Sequence, residues 1–272
     1  MKNPNQIFKR FWETYTHQNP MALRISELFK AEGEEVVHDH IALRSFNIKG
    51  MDIESVSREF ISAGYKVADA YIFDEKHLEA RHFVHKTIAD APKVFISELQ
   101  VEKCSPLIQE TVQRITEQVD AKQLEDSGFI YRGRLWDMPS FSVYEQLRNE
   151  SEYAAWLYVH GYRANHFAIR INALSKYNDI RKVNNFVKSH GYLMNIVNGQ
   201  ETYGSAGELL EQSSTKAEII VEDFTEGRFS IPACFYEFTQ RYPGKDGRLY
   251  EGFIAANADK IFQSTDYYVL KK

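Results

Sequence analysis

Phe8, Phe11, Trp12 and Tyr15 recur at three- and four-residue spacing, the period of a helix with one apolar face. Asn19-Pro20 breaks the run. Met21, Ile25, Leu28 and Phe29 resume it before Gly33, so residues 5–32 are predicted to be helical with one interruption. The aromatic stripe is read as core packing rather than as a ligand platform. The pattern shortens to a strand over 37–46 and returns to helical spacing over 51–63 (Ile53, Val56, Phe60, Ile61), ending at Gly64, a natural C-cap. Runs of β character follow at 70–73, 78–85 and 94–99, giving the order β-α-β-β-β.

Residues 105–160 interrupt this order. A helix is predicted over 106–125, with Leu107, Ile108, Val112, Ile115 and Val119 on one stripe, and a second over 143–160. Gly128, Gly133 and Pro139 punctuate the connection. The segment reads as a helical spacer in preference to a lid. Beyond it the first order returns: a strand at 166–171, a helix at 175–189 closed by Gly191, and strands at 192–197, 214–224 and 233–241. Residues 204–211 read as a loop or short helix, and 255–262 as a short helix. The expected fold class is α+β in a single compact domain, 1–272. Two βαβββ modules, 36–100 and 163–243, would form a curved sheet around a central cleft, with a helical insertion at 104–160 and a C-terminal extension at 244–272.

The two modules open on one motif. Asp39-His40-Ile41-Ala42-Leu43-Arg44 and Asn165-His166-Phe167-Ala168-Ile169-Arg170 both read short polar, His, apolar, Ala, apolar, Arg. Side chains alternate along a strand, so each His and the Arg four residues on share a face. Each module also closes on an apolar run with a carboxylate in its middle, Glu98 in the first and Glu237 in the second. If the opening and closing strands face one concavity, His40, Glu98, His166 and Glu237 converge there. Two imidazoles and one carboxylate on one side of an octahedron suit non-haem Fe(II), because the remaining positions admit a bidentate 2-oxo acid together with dioxygen.

Each candidate has a competing reading. His38, two residues before His40, shares its predicted face and is the main competing ligand. His77, His82 and His85 lie on a hairpin and are read as surface or cavity-wall residues, while His160 and His190 sit at helix ends, where imidazoles cap carbonyls. Arg44 either clamps a substrate carboxylate or forms a structural ion pair with Glu98 or Glu237, and Arg170 carries the same two readings. The polar run Gln212-Ser213-Ser214-Thr215-Lys216 either lines the site, with Ser214 donating to substrate oxygens, or is a solvated turn.

Composition narrows the classes. A net charge of −5 gives no bulk electrostatic case for nucleic acid or an anionic membrane. The chain has no signal-peptide pattern at Met1-Lys2-Asn3-Pro4 and no apolar run long enough to span a bilayer. Cys104 and Cys234 are too few for a disulfide framework or a zinc knuckle, so a reduced, cytoplasmic enzyme is expected. Two rivals stay open. One is a glyoxalase-type isomerase or lyase on Zn, Ni or Mn, favoured if Glu98 is a fourth ligand. The other is a metal-free protein that binds a small molecule.

The two His motifs, Gln212-Ser213-Ser214-Thr215-Lys216-Ala217, Phe235-Tyr236-Glu237-Phe238-Thr239-Gln240-Arg241-Tyr242 and Ala256-Asn257-Ala258-Asp259-Lys260 occur in a distinctive order. In these the chain resembles a compact version of the 2-oxoadipate dioxygenase/decarboxylase family, which is related to the vicinal oxygen chelate fold. The resemblance implies Fe(II) held by His40, His166 and Glu237, with Arg44 binding a substrate carboxylate and Glu98 left as a supporting or spare ligand. It further implies that 2-oxoadipate and dioxygen become 2-hydroxyglutarate and carbon dioxide, in lysine breakdown.

Overall fold

The computed structural model describes residues 2–265. In chain order the elements are α1 (Pro4–Gln18), α2 (Pro20–Ala31), β1 (His38–Phe46), α3 (Ile53–Ser62), β2 (Tyr65–Phe73), β3 (Leu78–His85) and β4 (Lys93–Leu99). Then come α4 (Pro106–Gln118), α5 (Ala121–Glu125), α6 (Phe141–Glu150), α7 (Glu152–His160), β5 (Ala164–Arg170) and α8 (Ile180–Ser189). The chain continues with β6 (Tyr203–Ser205), β7 (Leu210–Ser214), β8 (Ile219–Phe224), β9 (Gly227–Pro232), β10 (Phe235–Arg241) and α9 (Ala255–Phe262). Among the described residues no helix is long and apolar enough to cross a membrane.

The contacts divide the chain into two compact units. The first takes the chain up to Tyr15, Ala42–Asn165 and Ile219–Ile231; the second takes Thr16–Ile41, His166–Glu218 and the chain from Pro232. Each unit holds one β-α-β-β-β set in the same spatial order. In the first, β2, β3, β4 and the later part of β1 lie side by side; in the second, β6, β7, β10 and β5 do so, with the opening residues of β1 beside β5. The α+β class and one β-α-β-β-β module in each unit are thus present. The first unit's core is aromatic: Phe11 stacks on Phe60 at 5.8 Å and meets Tyr131 at 4.5 Å. This places the stripe of α1 in the core.

Several predicted boundaries move, each for a local reason. The helix read over 106–125 is two, because Asp120 is extended and its side chain accepts from Lys122 N, starting α5 afresh. Ser151 does the same in the helix read over 143–160: its hydroxyl accepts from Ala154 N and divides α6 from α7. The helix read from 175 begins at 180, since Asp179 caps Arg181 and Lys182 while the N–H groups of Ser175, Lys176 and Tyr177 all donate to Glu34. The strand read at 192–197 is absent. That stretch makes only single bridges, Met194 to Thr215 and Val197 to Gln200, and leaves Leu193 and Ile196 exposed. The second strand of the second module is instead the short β6. The run read as one strand over 214–224 ends one strand, β7, and supplies another, β8, which pairs with β9 in a separate hairpin in the first unit.

One contact fixes the strand that later supports the site. Asn184 of α8, fully buried, accepts a 2.6 Å bond from Ser213 Oγ and donates to Thr202 Oγ1, tying the helix to β7. Asn184→Ala leaves the Ser213 hydroxyl buried without that acceptor. It is expected to cost about 1–3 kcal/mol in urea unfolding of the chelator-treated protein. A loss below about 0.5 kcal/mol would show that the pair does not hold β7 in place.

Candidate metal centre

β10 runs parallel to β5 with Phe235 opposite His166 and Glu237 opposite Ala168. Facing residues and their i+2 neighbours share one side of a sheet, so His166 and Glu237 emerge on the same face, one pleat apart. The methyl group of Ala168 beside Glu237 leaves room for the carboxylate. β7 pairs on the other side of β10, antiparallel, with Ser214 opposite Glu237 and Gln212 opposite Thr239. Gln212 and Ser214 therefore join the same face.

The carboxylate is held closely. Gln212 Nε2 donates to Glu237 Oε1 at 2.7 Å and Thr239 Oγ1 donates to the same oxygen at 2.9 Å. His166 Nε2 lies 3.2 Å from Oε2, and His40 Nε2 lies 3.5 Å from Oε1. The three candidate donor atoms lie within 4.8 Å of one another, and all three residues are buried. Neighbouring donors around an ion with bonds near 2.1 Å stand about 3 Å apart, so the spacing fits one ion with little adjustment. All three residues belong to the second unit.

The electrostatics favour a cation. Burial alone would raise the Glu237 carboxyl, but the imidazoles of His40 and His166 hold it below the ordinary carboxylate range. Burial alone would lower His40, and the Glu237 and Asp39 carboxylates outweigh it and raise the imidazole. Asp39 accepts at Oδ1 from His40 Nδ1 at 2.8 Å and is itself paired at two points by Arg241, at 2.7 and 2.8 Å. With the proton on Nδ1 donated to Asp39, His40 presents the lone pair of Nε2. With both imidazoles neutral, as metal ligands must be, Asp39 and Glu237 set against Arg241 leave one net negative charge among these buried groups. Imidazole, imidazole and carboxylate form the donor set of divalent iron, manganese or zinc rather than of a thiolate metal. The residues present fit such an ion.

The sequence matches the family model described as 2-oxoadipate dioxygenase/decarboxylase over residues 12–249. The chain belongs to this 2-oxoadipate dioxygenase/decarboxylase family. The chloroplastic 2-oxoadipate dioxygenase/decarboxylase of Arabidopsis thaliana is 33% identical over 276 residues, covering 92% of this chain and 74% of that protein. The crystal structure of the Oryza sativa hydroxyglutarate synthase in complex with 2-oxoadipate superposes with a TM-score of 0.91. It is 32% identical, over 98% of this chain and 93% of that one. A structure from Shewanella frigidimarina NCIMB 400, provisionally named a hydrolase, is 43% identical with a TM-score of 0.87, over 94% and 99% of the two chains.

The other candidates of this 2-oxoadipate dioxygenase/decarboxylase family member lie as follows. His38 does not share the His40 face: its Nε2 meets Tyr236 Oη at 3.0 Å and its ring packs edge-on to Phe167, both neighbours of the donors that alternate to the opposite side. Burial pushes its imidazole down to about 3, so it stays neutral. Glu98 is engaged in the first unit, accepting from Ile53 N at 2.9 Å and from Gln100 Nε2 at 3.3 Å, and is not one of the grouped donors. Arg44, also in the first unit, pairs with Glu152 at 2.9 Å, and its guanidinium lies over Tyr153 and Trp156. Ser214 Oγ shares a 2.8 Å bond with Ser264 Oγ, and Arg170 is half-buried at the end of β5. The run Gln212–Thr215 is buried, so it is no solvated turn. His82 is buried against Tyr71 Oη at 2.9 Å, and His190 Nδ1 donates to the Phe186 carbonyl at 2.9 Å, a helix-end cap.

Four supporting roles escaped the sequence reading. Asp39 was only the polar residue that opens the motif, and Arg241 only part of the resemblance. Phe235 stacks on the His166 ring at 4.6 Å, and Phe253 meets His40 edge-on at 4.8 Å. Arg241 did carry a signal: it ends β10 on the alternation of Glu237 and Thr239, and a buried arginine must bring an anion with it.

Glu98 offers a pH test. Burial lifts its carboxyl above the ordinary value of 4.5, although the Ile53 N–H and the Gln100 amide favour the anion. Over that window the folded chain keeps a proton the unfolded chain has lost. Stability from this group is therefore present at low pH and declines as pH rises from 4.5 through the raised folded value. Glu98→Gln is expected to flatten that part of the decline in urea unfolding across the window. An identical decline in the variant would contradict the assignment.

Proposed function

We propose that the chain is a non-haem Fe(II)-dependent oxidoreductase that converts 2-oxoadipate and dioxygen into 2-hydroxyglutarate and carbon dioxide. The observation that carries this is the buried His40, His166 and Glu237 group in a member of a dioxygenase/decarboxylase family. The rice relative bound to 2-oxoadipate supports the substrate. We place the reaction in lysine breakdown and the protein in the cytoplasm.

His40 and His166 would hold the ion through Nε2 and Glu237 through Oε2, since Oε1 is already taken by Gln212 and Thr239. Bound Fe(II) would supply the site at which a 2-oxo acid and dioxygen are brought together for oxidative decarboxylation. The protein's own part is orientation and exclusion of water. Phe235 and Phe253 pack on the two imidazoles and keep their rings from turning. Arg44 is the cation we assign to a substrate carboxylate. Its side chain is pre-set by Glu152 and the aromatic rings of Tyr153 and Trp156. Ser214, directly opposite Glu237, and Arg170, at the end of β5, are assigned to the substrate's remaining oxygens.

The test is anaerobic loading with Fe(II) followed by oxygen uptake with 2-oxoadipate, with 2-hydroxyglutarate and carbon dioxide measured against it. His40→Ala, His166→Ala and Glu237→Ala are each expected to abolish iron retention in a folded chain. Arg44→Ala is expected to lower kcat/KM roughly 10- to 100-fold, the size of a lost charged hydrogen bond of about 1.5–3 kcal/mol, through KM. No oxygen uptake with any 2-oxo acid, together with a tightly held non-iron metal, would replace this reading with an isomerase or lyase.

A further inference from the structure

The three donors account for the ion but not for what stands behind His40. Adjacent residues on a regular strand point to opposite faces, yet Asp39 Oδ1 lies 2.8 Å from His40 Nδ1. Asp39 is fully buried, and Arg241 grips it from across the second unit with Nε on Oδ2 and Nη2 on Oδ1. The remaining nitrogen, Nη1, donates to the carbonyls of Tyr250 at 3.0 Å and Gly252 at 2.8 Å. The guanidinium also lies 5.2 Å from the centre of the Phe253 ring, whose edge contact with His40 closes the circuit. One guanidinium therefore organises two of the groups around the His40 ring, Asp39 and Phe253.

The geometry points to Asp39 and Arg241 as positioning residues for the metal-binding imidazole of His40, with the backbone of residues 250–253 as their anchor. This rests on the metal reading of the site. A ligating imidazole must carry its proton on one nitrogen and offer the other, and a carboxylate on Nδ1 fixes that choice, sets the ring plane and strengthens the donor. Asp39 can do so only as an anion, and a buried anion needs a partner as good as a two-point guanidinium. Arg241 in turn is held in place by the two carbonyls. The segment after β10 thereby becomes part of the apparatus that holds the ion, although none of its residues donates to it.

A buried ion pair of purely structural use would lower stability and leave metal binding by the folded protein unchanged. The full chain, stripped with chelator, is titrated with Co(II) as wild type, Asp39→Asn and Arg241→Lys, with the visible absorption of the saturated protein and the melting temperature of the stripped protein recorded. Asp39→Asn is expected to weaken Co(II) binding about 10- to 100-fold and to shift the visible bands; Arg241→Lys, which keeps the charge but loses the fork, is expected to do so less. In zinc-loaded wild type, imidazole 15N spectra are expected to show His40 protonated at Nδ1. The inference is overturned if the folded variants match wild type within about two-fold and keep its bands. Should neither variant fold, His40 protonated at Nε2 in the wild type overturns it. A wild-type chain that binds neither Co(II) nor Zn(II) removes the metal reading itself, a separate result.

Discussion

A carboxylate with almost no access to water is the constraint around which the second unit is built. Glu237 sits in the middle of β10, flanked by strands on both sides, where an uncompensated anion would cost several kcal/mol. The fold meets that cost twice over. Gln212 and Thr239 satisfy one oxygen, and two imidazoles face the group. With both imidazoles neutral, as ligands to an ion must be, the amide, the hydroxyl and the two rings leave the negative charge itself in place. A site of that kind attracts a cation more strongly than any arrangement of the same residues in water.

The duplicated module explains why such a site can be assembled at all. A parallel neighbour puts a histidine and a glutamate from distant stretches into fixed register, and a small residue between them leaves the space. The first unit repeats the order of elements but uses its equivalent carboxylate differently: Glu98 accepts a backbone N–H of Ile53 at the start of α3. Duplication supplied two potential carboxylates, and the sequence around each settled its use. Thr239 follows Glu237 by two residues and supports it on the same face, whereas Gln100, in the same relative place, bonds a Glu98 already tied to a helix.

Much of this was legible from residue order. The alternation through His40 and His166, the apolar closing runs and the break at Asn19-Pro20 state their structure locally, and the elements they mark are present. Where reading failed, the cause was a side chain acting on a neighbour's backbone. Ser151 and Asp120 begin new helices inside stretches whose apolar period never falters. The apolar run 192–197 reads like a strand but meets Thr215 in a single bridge at Met194 and leaves Leu193 and Ile196 exposed. His38 shows the limit of period-two reasoning at the first residue of a strand. The Asp39–Arg241 pair was hidden for a different reason: nothing local links two residues that lie so far apart along the chain.

The parallel pairing of β5 with β10 also bears on how the protein comes into being. Parallel strands cannot be joined by a tight turn, and the stretch between these two carries α8, β6, β7 and the β8–β9 hairpin. Closing so long a loop is slow and draws its reward only at the end. During synthesis, His40 and His166 leave the ribosome well before Glu237, and the nascent chain has no complete set of donors to trap a stray ion. An ion that needs all three donors would therefore bind only after β10 has met β5.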